Sequence, residues 1–108
     1  MLDPQLKRGL LDHCVLAALC RGDSYGYQII KDLSGSVALS ESTLYPILRR
    51  LEQGGALSSY SVEHNGRLRK YYQITPEGEQ KVRDFLEGWE QLRLIYAFIR
   101  KEFGYEPE

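Results

Sequence analysis

The chain has 108 residues, enough for one domain with a modest core. Its 43% hydrophobic and 27% charged residues describe an ordinary globular protein, and no apolar run approaches the ~20 residues a membrane span needs. The net charge of −1 excludes a generic polyanion binder, but residues 1–75 carry nine Lys/Arg against seven Asp/Glu and residues 76–108 five against eight. A nucleic-acid surface would therefore be a local patch in the first three-quarters.

Asp3-Pro4 starts a helix, with Asp as the cap and Pro at the first helical position, where its missing N–H is harmless. This helix runs to about Leu19, with Leu11, Val15, Ala18 and Leu19 as its core face. Cys14 and Cys20 fall on different faces of it and read as reduced small hydrophobes. No basic-apolar-small signal pattern opens the chain, so the expected location is cytoplasmic. Arg21-Gly22-Asp23 breaks the helix; Ser24 caps a second one through Leu33, in a register that buries Tyr25 or Ile29, and Gly35 ends it.

The third helix lies within the stretch from Ser40 to Leu57. Leu44, Ile47, Leu48 and Leu51 recur at i, i+3, i+4, i+7, the spacing of one buried stripe. Ser40 caps its start and Gly54-Gly55 stop it, glycine taking the left-handed conformation at no steric cost. Ser42, Thr43, Tyr45, Arg49 and Arg50 lie outside the stripe. A hydroxyl-aromatic-arginine front on a short helix suits the major groove of DNA, although such arginines taken alone are usually a solvated face. Pro46 removes one helical hydrogen bond and clashes with the Ser42 carbonyl, which kinks or ends a helix.

Asn65-Gly66 is the strongest short hairpin signal, because a type I′ turn needs positive φ at both central residues. A two-residue turn pairs Glu63 with Leu68, Tyr60 with Tyr71, Ser59 with Tyr72 and Leu57 with Ile74. Leu57, Tyr72 and Ile74 then face the helices, and Tyr60, Val62, Arg69 and Tyr71 face away. Arg67, Arg69 and Lys70 make the tip basic, which reads either as edge protection or as phosphate contact.

Thr75-Pro76-Glu77 starts the last helix. From there Val82, Phe85, Trp89, Leu92, Tyr96, Ile99 and Phe103 are spaced 3, 4, 3, 4, 3, 4, a heptad seam. Running to about Phe103, this helix would be about 40 Å long at ~1.5 Å per residue. Leu94 and Phe98 lie opposite the seam, so the C-terminal half is apolar nearly all round and needs a second surface. The simplest supplier is another copy of the chain, giving a homodimer.

The expected fold class is mainly α with a small β-hairpin: a winged helix-turn-helix DNA-binding domain over 1–75 and a C-terminal dimerisation helix over 76–108. The strings YGYQIIKDL, ESTLYPILRRLEQGGAL and RLRKYYQITPEG, in that order, resemble the PadR family of bacterial transcriptional regulators across essentially the whole chain. The single C-terminal helix is similar to the short members, some of which bind drugs. The resemblance implies a homodimeric repressor whose hold on a pseudo-palindromic double-stranded operator weakens when a small molecule or other signal is sensed. It also implies DNA contact at Ser42, Thr43 and Tyr45. Arg49 and the wing residues Arg67, Arg69 and Lys70 complete the expected interface, with Tyr27 an equal candidate for packing or phosphate contact.

Trp89 reads either as the dimer's core anchor or, paired across a two-fold axis, as a plate sandwiching a planar aromatic effector, with Phe85, Leu92 and Tyr96 lining the same space. His13 and His64 stand alone, without nucleophile elbow, phosphate loop or metal-ligand spacing, so neither catalytic nor metal-binding residues are expected, and no cofactor. The rival reading is a winged helix that docks proteins through Tyr60 and Tyr71.

Overall fold

A computed structural model describes residues 3–105 as seven elements: α1 (Pro4–Leu19), β1 (Ser24–Tyr25), α2 (Gly26–Leu33), α3 (Glu41–Gln53), β2 (Leu57–His64), β3 (Arg67–Ile74) and α4 (Pro76–Phe103). The last three residues of the expected C-terminal segment, 106–108, lie outside the described residues.

Both proline-led helices start as their caps dictate. The Asp3 carboxylate accepts from the N–H groups of Gln5 and Leu6, and the Thr75 hydroxyl accepts from Gly78 N–H. Ser40 caps α3 through Thr43 N–H, and α3 continues through Pro46 to Gln53. At its end Gly55 takes the left-handed turn (φ 84°), while Gly54 keeps φ −84°. The four stripe residues of α3 are buried and meet Leu11, Val15, Leu16 and Leu19 of α1, Ile29 of α2 and Leu57 and Tyr72 of the hairpin. Each such side chain contributes about 1.5–3 kcal/mol by leaving water.

Three expectations are corrected. Ser24 does not cap α2: Ser24 and Tyr25 form a strand that pairs with Tyr72 and Tyr71, so the sheet has three strands in the order β1-β3-β2. Strand geometry turns the Ser24 hydroxyl inward, where it is buried without a hydrogen-bond partner among the described residues. Helix α2 runs through Leu33 as expected, but the residue that caps its end is Ser34 rather than Gly35. On α1, fully buried Leu16 belongs to the core and Ala18 sits at its edge, because a helix lying in the angle between α2, α3 and α4 buries a wide face.

The hairpin has the expected register from Leu57↔Ile74 through to His64↔Arg67. Asn65 and Gly66 carry φ 53° and 79°, the two positive values a type I′ turn requires. Alanine at 66 would hold a Cβ in the left-handed region at a cost of about 1–2 kcal/mol. Gly66→Ala should lower the unfolding free energy by that amount, read in urea titrations as a lower midpoint with an unchanged slope.

Candidate nucleic-acid interface

At about 100° of rotation per residue, α3 sorts its exposed side chains into three strips. Ser42, Pro46, Arg49 and Gln53 point straight away from the buried stripe. Tyr45 and Glu52 turn toward the hairpin, and Thr43 and Arg50 turn toward α1. Each flank opens a concavity. On the hairpin side Tyr25, Tyr27, Tyr45, Arg67, Arg69 and Lys70 contribute to a cleft of about 640 Å³. On the α1 side a shallower groove of about 340 Å³ reaches Ser42 and Thr43.

The first turn of α3 is dense in hydroxyls. Ser40 Oγ lies 3.0 Å from Ser42 Oγ and donates to Thr43 Oγ1 at 3.1 Å. With the open N–H groups of a helix start, they form an array of polar groups suited to a phosphate or a base edge. Pro46 supplies no N–H to the Ser42 carbonyl, which leaves that oxygen able to accept from outside. Tyr45 lies across the start of α2: a Cβ on Gly26 would fall 2.6 Å from its hydroxyl, so a side chain there would displace the ring.

The six basic side chains of α2, α3 and the hairpin divide into the unpaired and the engaged. Arg49 and Arg67 are exposed and pair with no carboxylate among the described residues. Arg50, Arg69 and Lys70 are engaged within the chain. Arg50 bridges to Asp12 of α1 at 2.5 Å. Arg69 lies over the Tyr25 ring, its guanidinium carbon 4.0 Å from the centroid. Lys70 sits 3.7 Å from Glu52, whose other oxygen accepts from Ser59 at 2.5 Å. Lys31, the sixth, is exposed in the last turn of α2. An exposed bridge such as Lys70–Glu52 contributes at most about 1 kcal/mol and leaves the lysine able to exchange partners. Arg69 is held more firmly, being half-buried.

Behind Arg69 the wing is braced by a stack of rings. Tyr25 meets Tyr71 edge-on at 5.4 Å, and Tyr71 stacks on Tyr60 at 5.7 Å with 9° between planes. The Tyr60 hydroxyl donates to Asp23 at 2.7 Å, and that bond holds its pKa above 10.0. Tyr72 is also raised, chiefly by burial, with Lys70 pulling the other way. The outward hairpin face is thus fastened to the turn before β1.

The expected seam on α4 is split. Phe85 stacks on His13 of α1 at 4.0 Å, and the His13 Nδ1–H donates to the Gly9 carbonyl at 2.7 Å. Phe85 therefore belongs to the α1–α4 contact and does not share a groove with the other three. Trp89, Leu92 and Tyr96 line an apolar groove of about 600 Å³ further along the helix, with Trp89 6.0 Å from Phe85. Tyr27 is 65% exposed at the mouth of the hairpin-side cleft, which puts it within reach of a ligand there. Residue-type reasoning missed Gly26, Asp12 and Glu52; of these, only the glycine between two tyrosines in YGY was a visible signal.

Among the described residues no cluster of His, Cys, Asp and Glu could hold a metal ion, and no helix is long and apolar enough to cross a membrane. Residues 15–84 match the family described as transcriptional regulator PadR-like. A transcriptional regulator from Clostridium thermocellum is 36% identical and superposes with a TM-score of 0.77, over 86% of this chain and 95% of that one. A PadR family transcriptional regulator from Eggerthella lenta is 35% identical with a TM-score of 0.79, over 88% and 85%. Bacillus subtilis PadR in complex with operator DNA is 26% identical with a TM-score of 0.65, over 71% of this chain and 45% of that longer one.

Proposed function

The chain belongs to the PadR-like family of transcriptional regulators, which makes it a regulator rather than an enzyme, and we propose that it acts in the cytoplasm as a homodimeric, DNA-binding repressor. Residues 1–75 form its DNA-binding domain and α4 its dimerisation element. Bacillus subtilis PadR, a neighbour of the same fold, was solved with operator DNA. The observation that carries the reading is the alignment of Ser42 and Arg49 on the outward side of α3, with Tyr45 turned into a cleft whose far wall is the basic wing. Ser42, Thr43 and Tyr45 read base edges or the adjacent phosphates. Arg49, Arg67 and Lys70 supply salt-dependent affinity, with Tyr27 at the cleft mouth. Two α3 helices enter successive major grooves of a pseudo-palindromic site, about one helical turn or a multiple apart.

Release works through α4. A planar aromatic effector held by Trp89, Leu92 and Tyr96 at the dimer seam selects a dimer geometry in which the two α3 helices no longer match the operator spacing. The contacts through Thr75, Gly78 and the His13–Phe85 stack tie the base of α4 to the DNA-binding domain, so a tilt of one is felt by the other.

The rival reading, a protein-docking hairpin, needs Tyr60 and Tyr71 available. Tyr71 is half-buried beside Tyr60 and the Tyr60 hydroxyl is bonded to Asp23, so a docking partner would have only the outer face of Tyr60, 43% exposed, to hold. The test is binding of DNA from the protein's own promoter at several salt concentrations. Arg67→Ala should weaken binding to every sequence alike and reduce the salt slope by about 1 per wing. No binding by the parent protein at low salt would return the docking module to first place.

A further inference from the structure

We infer that Lys7 and Arg8 of α1 form a second phosphate-binding strip, gripping the DNA strand on the side of α3 opposite the wing. The inference rests on the DNA-binding reading above and adds a contact surface to it. An α-helix with its side chains is about 10–12 Å across and the major groove is about 12 Å wide, so a helix seated there has a phosphate backbone along each flank. The wing, with Arg67 at its tip, occupies one flank of α3. The other flank is the groove between α1 and α3, where Lys7, Arg8 and Arg50 meet Ser42, Thr43 and Pro46.

The charges on that flank do not cancel. Asp12 of α1 is bonded to Arg50, which reduces Arg50 to a tether between the helices. Asp3 accepts the first N–H groups of α1. No carboxylate lines the groove itself. Lys7 and Arg8 are exposed and bridge to no acid among the described residues. They sit on adjacent positions in the first turns of α1, beside the hydroxyl-rich start of α3. A phosphate that reaches Ser42 and Thr43 brings its strand past both cations.

The bland alternative is a solvated helix face, and the salt dependence separates the two. Each phosphate neutralised contributes about 0.9 to the slope of log affinity against log salt. With the full chain and duplex DNA from its own promoter, Lys7→Ala/Arg8→Ala should lower that slope by about 1.8 per bound chain. Binding to an unrelated duplex should weaken by the same factor, because the strip reads no bases. Lys7→Arg/Arg8→Lys should restore the slope. Circular dichroism at the working salt checks that α1 is intact; both positions are exposed and alanine favours a helix. A double variant that binds with the parental slope overturns the strip while leaving the DNA-binding reading in place. A parent protein that binds no duplex at low salt overturns both.

Discussion

Gly78→Ala should destabilise the protein by about 3 kcal/mol, at the upper end of what overpacking costs, even though alanine is the better helix former. The first turn of α4 crosses directly over the end of the α3–β2 connection. A Cβ at residue 78 would collide with the Ala56 carbonyl oxygen and come within 2.8 Å of Ile74 Cγ1. That carbonyl cannot retreat freely, since it accepts from Thr75 N–H at 3.0 Å. The Thr75 hydroxyl meanwhile donates to Gly55 O at 2.6 Å and accepts from Gly78 N–H at 3.0 Å. A methyl group would have to lift α4 away from this knot or break it. Gly9, within α1, is the control: a Cβ there meets nothing within 4 Å, so Gly9→Ala should gain up to about 1 kcal/mol. Urea denaturation of both variants at one fixed protein concentration decides the matter, because the stability of a dimer depends on concentration. A Gly78→Ala protein as stable as the parent would mean that α4 does not rest on Ala56. The knot also aims α4, so a surviving Gly78→Ala protein should bind its operator more weakly than its stability alone implies.

How far the chain could be read in advance depended on whether the deciding contact was local. Asp3-Pro4, Thr75-Pro76 and Asn65-Gly66 each carry their own instruction within a few residues, and the helix starts and the hairpin register followed them. Ser24 carries a misleading one. Serine before a helix is a good cap by type, and what overrides it is pairing with Tyr72, a partner far along the chain. A two-residue strand has no periodicity to betray it. The same distinction runs through the interface. Arg49 and Arg50 are indistinguishable as letters, yet the rotation between neighbours on a helix leaves Arg49 facing outward and brings Arg50 to Asp12. Arg69 and Lys70 read as two free wing cations; the fold lays one over Tyr25 and sets the other beside Glu52. Phe85 fits the heptad spacing, but α1 reaches it first through His13. Pattern located the surfaces, and long-range packing decided which side chains on them remain available.

Leu92→Glu should abolish the dimer and, with it, nearly all operator affinity. Helix α4 is 28 residues long, about 40 Å at ~1.5 Å per residue, and its first turns alone have the rest of the chain to pack on. Beyond them Trp89, Leu92, Ile95, Tyr96, Phe98 and Ile99 are all exposed, and Leu92 is 46% accessible in the single chain. Apolar surface of that extent along one helix marks an interaction site. A carboxylate at 92 would be buried without a partner in the dimer, at a penalty of several kcal/mol on each chain. In the separated chain it would simply face water, so the folded domain over 3–75 and the α4 helix should persist by circular dichroism. Sedimentation equilibrium should find the parent at twice the chain mass and the variant at the chain mass. Losing the tether between two recognition helices removes the gain of simultaneous engagement, on the order of 10²–10⁴ in affinity. The decisive comparison is therefore between two lengths of DNA. On a single half-site parent and variant should bind within a few-fold of each other, because neither gains from a second helix there. On the full pseudo-palindrome the parent should pull ahead by that factor, while Leu92→Glu binds the two lengths alike. A Leu92→Glu protein that stays dimeric and keeps the parent's preference for the full site would remove α4 from its proposed role.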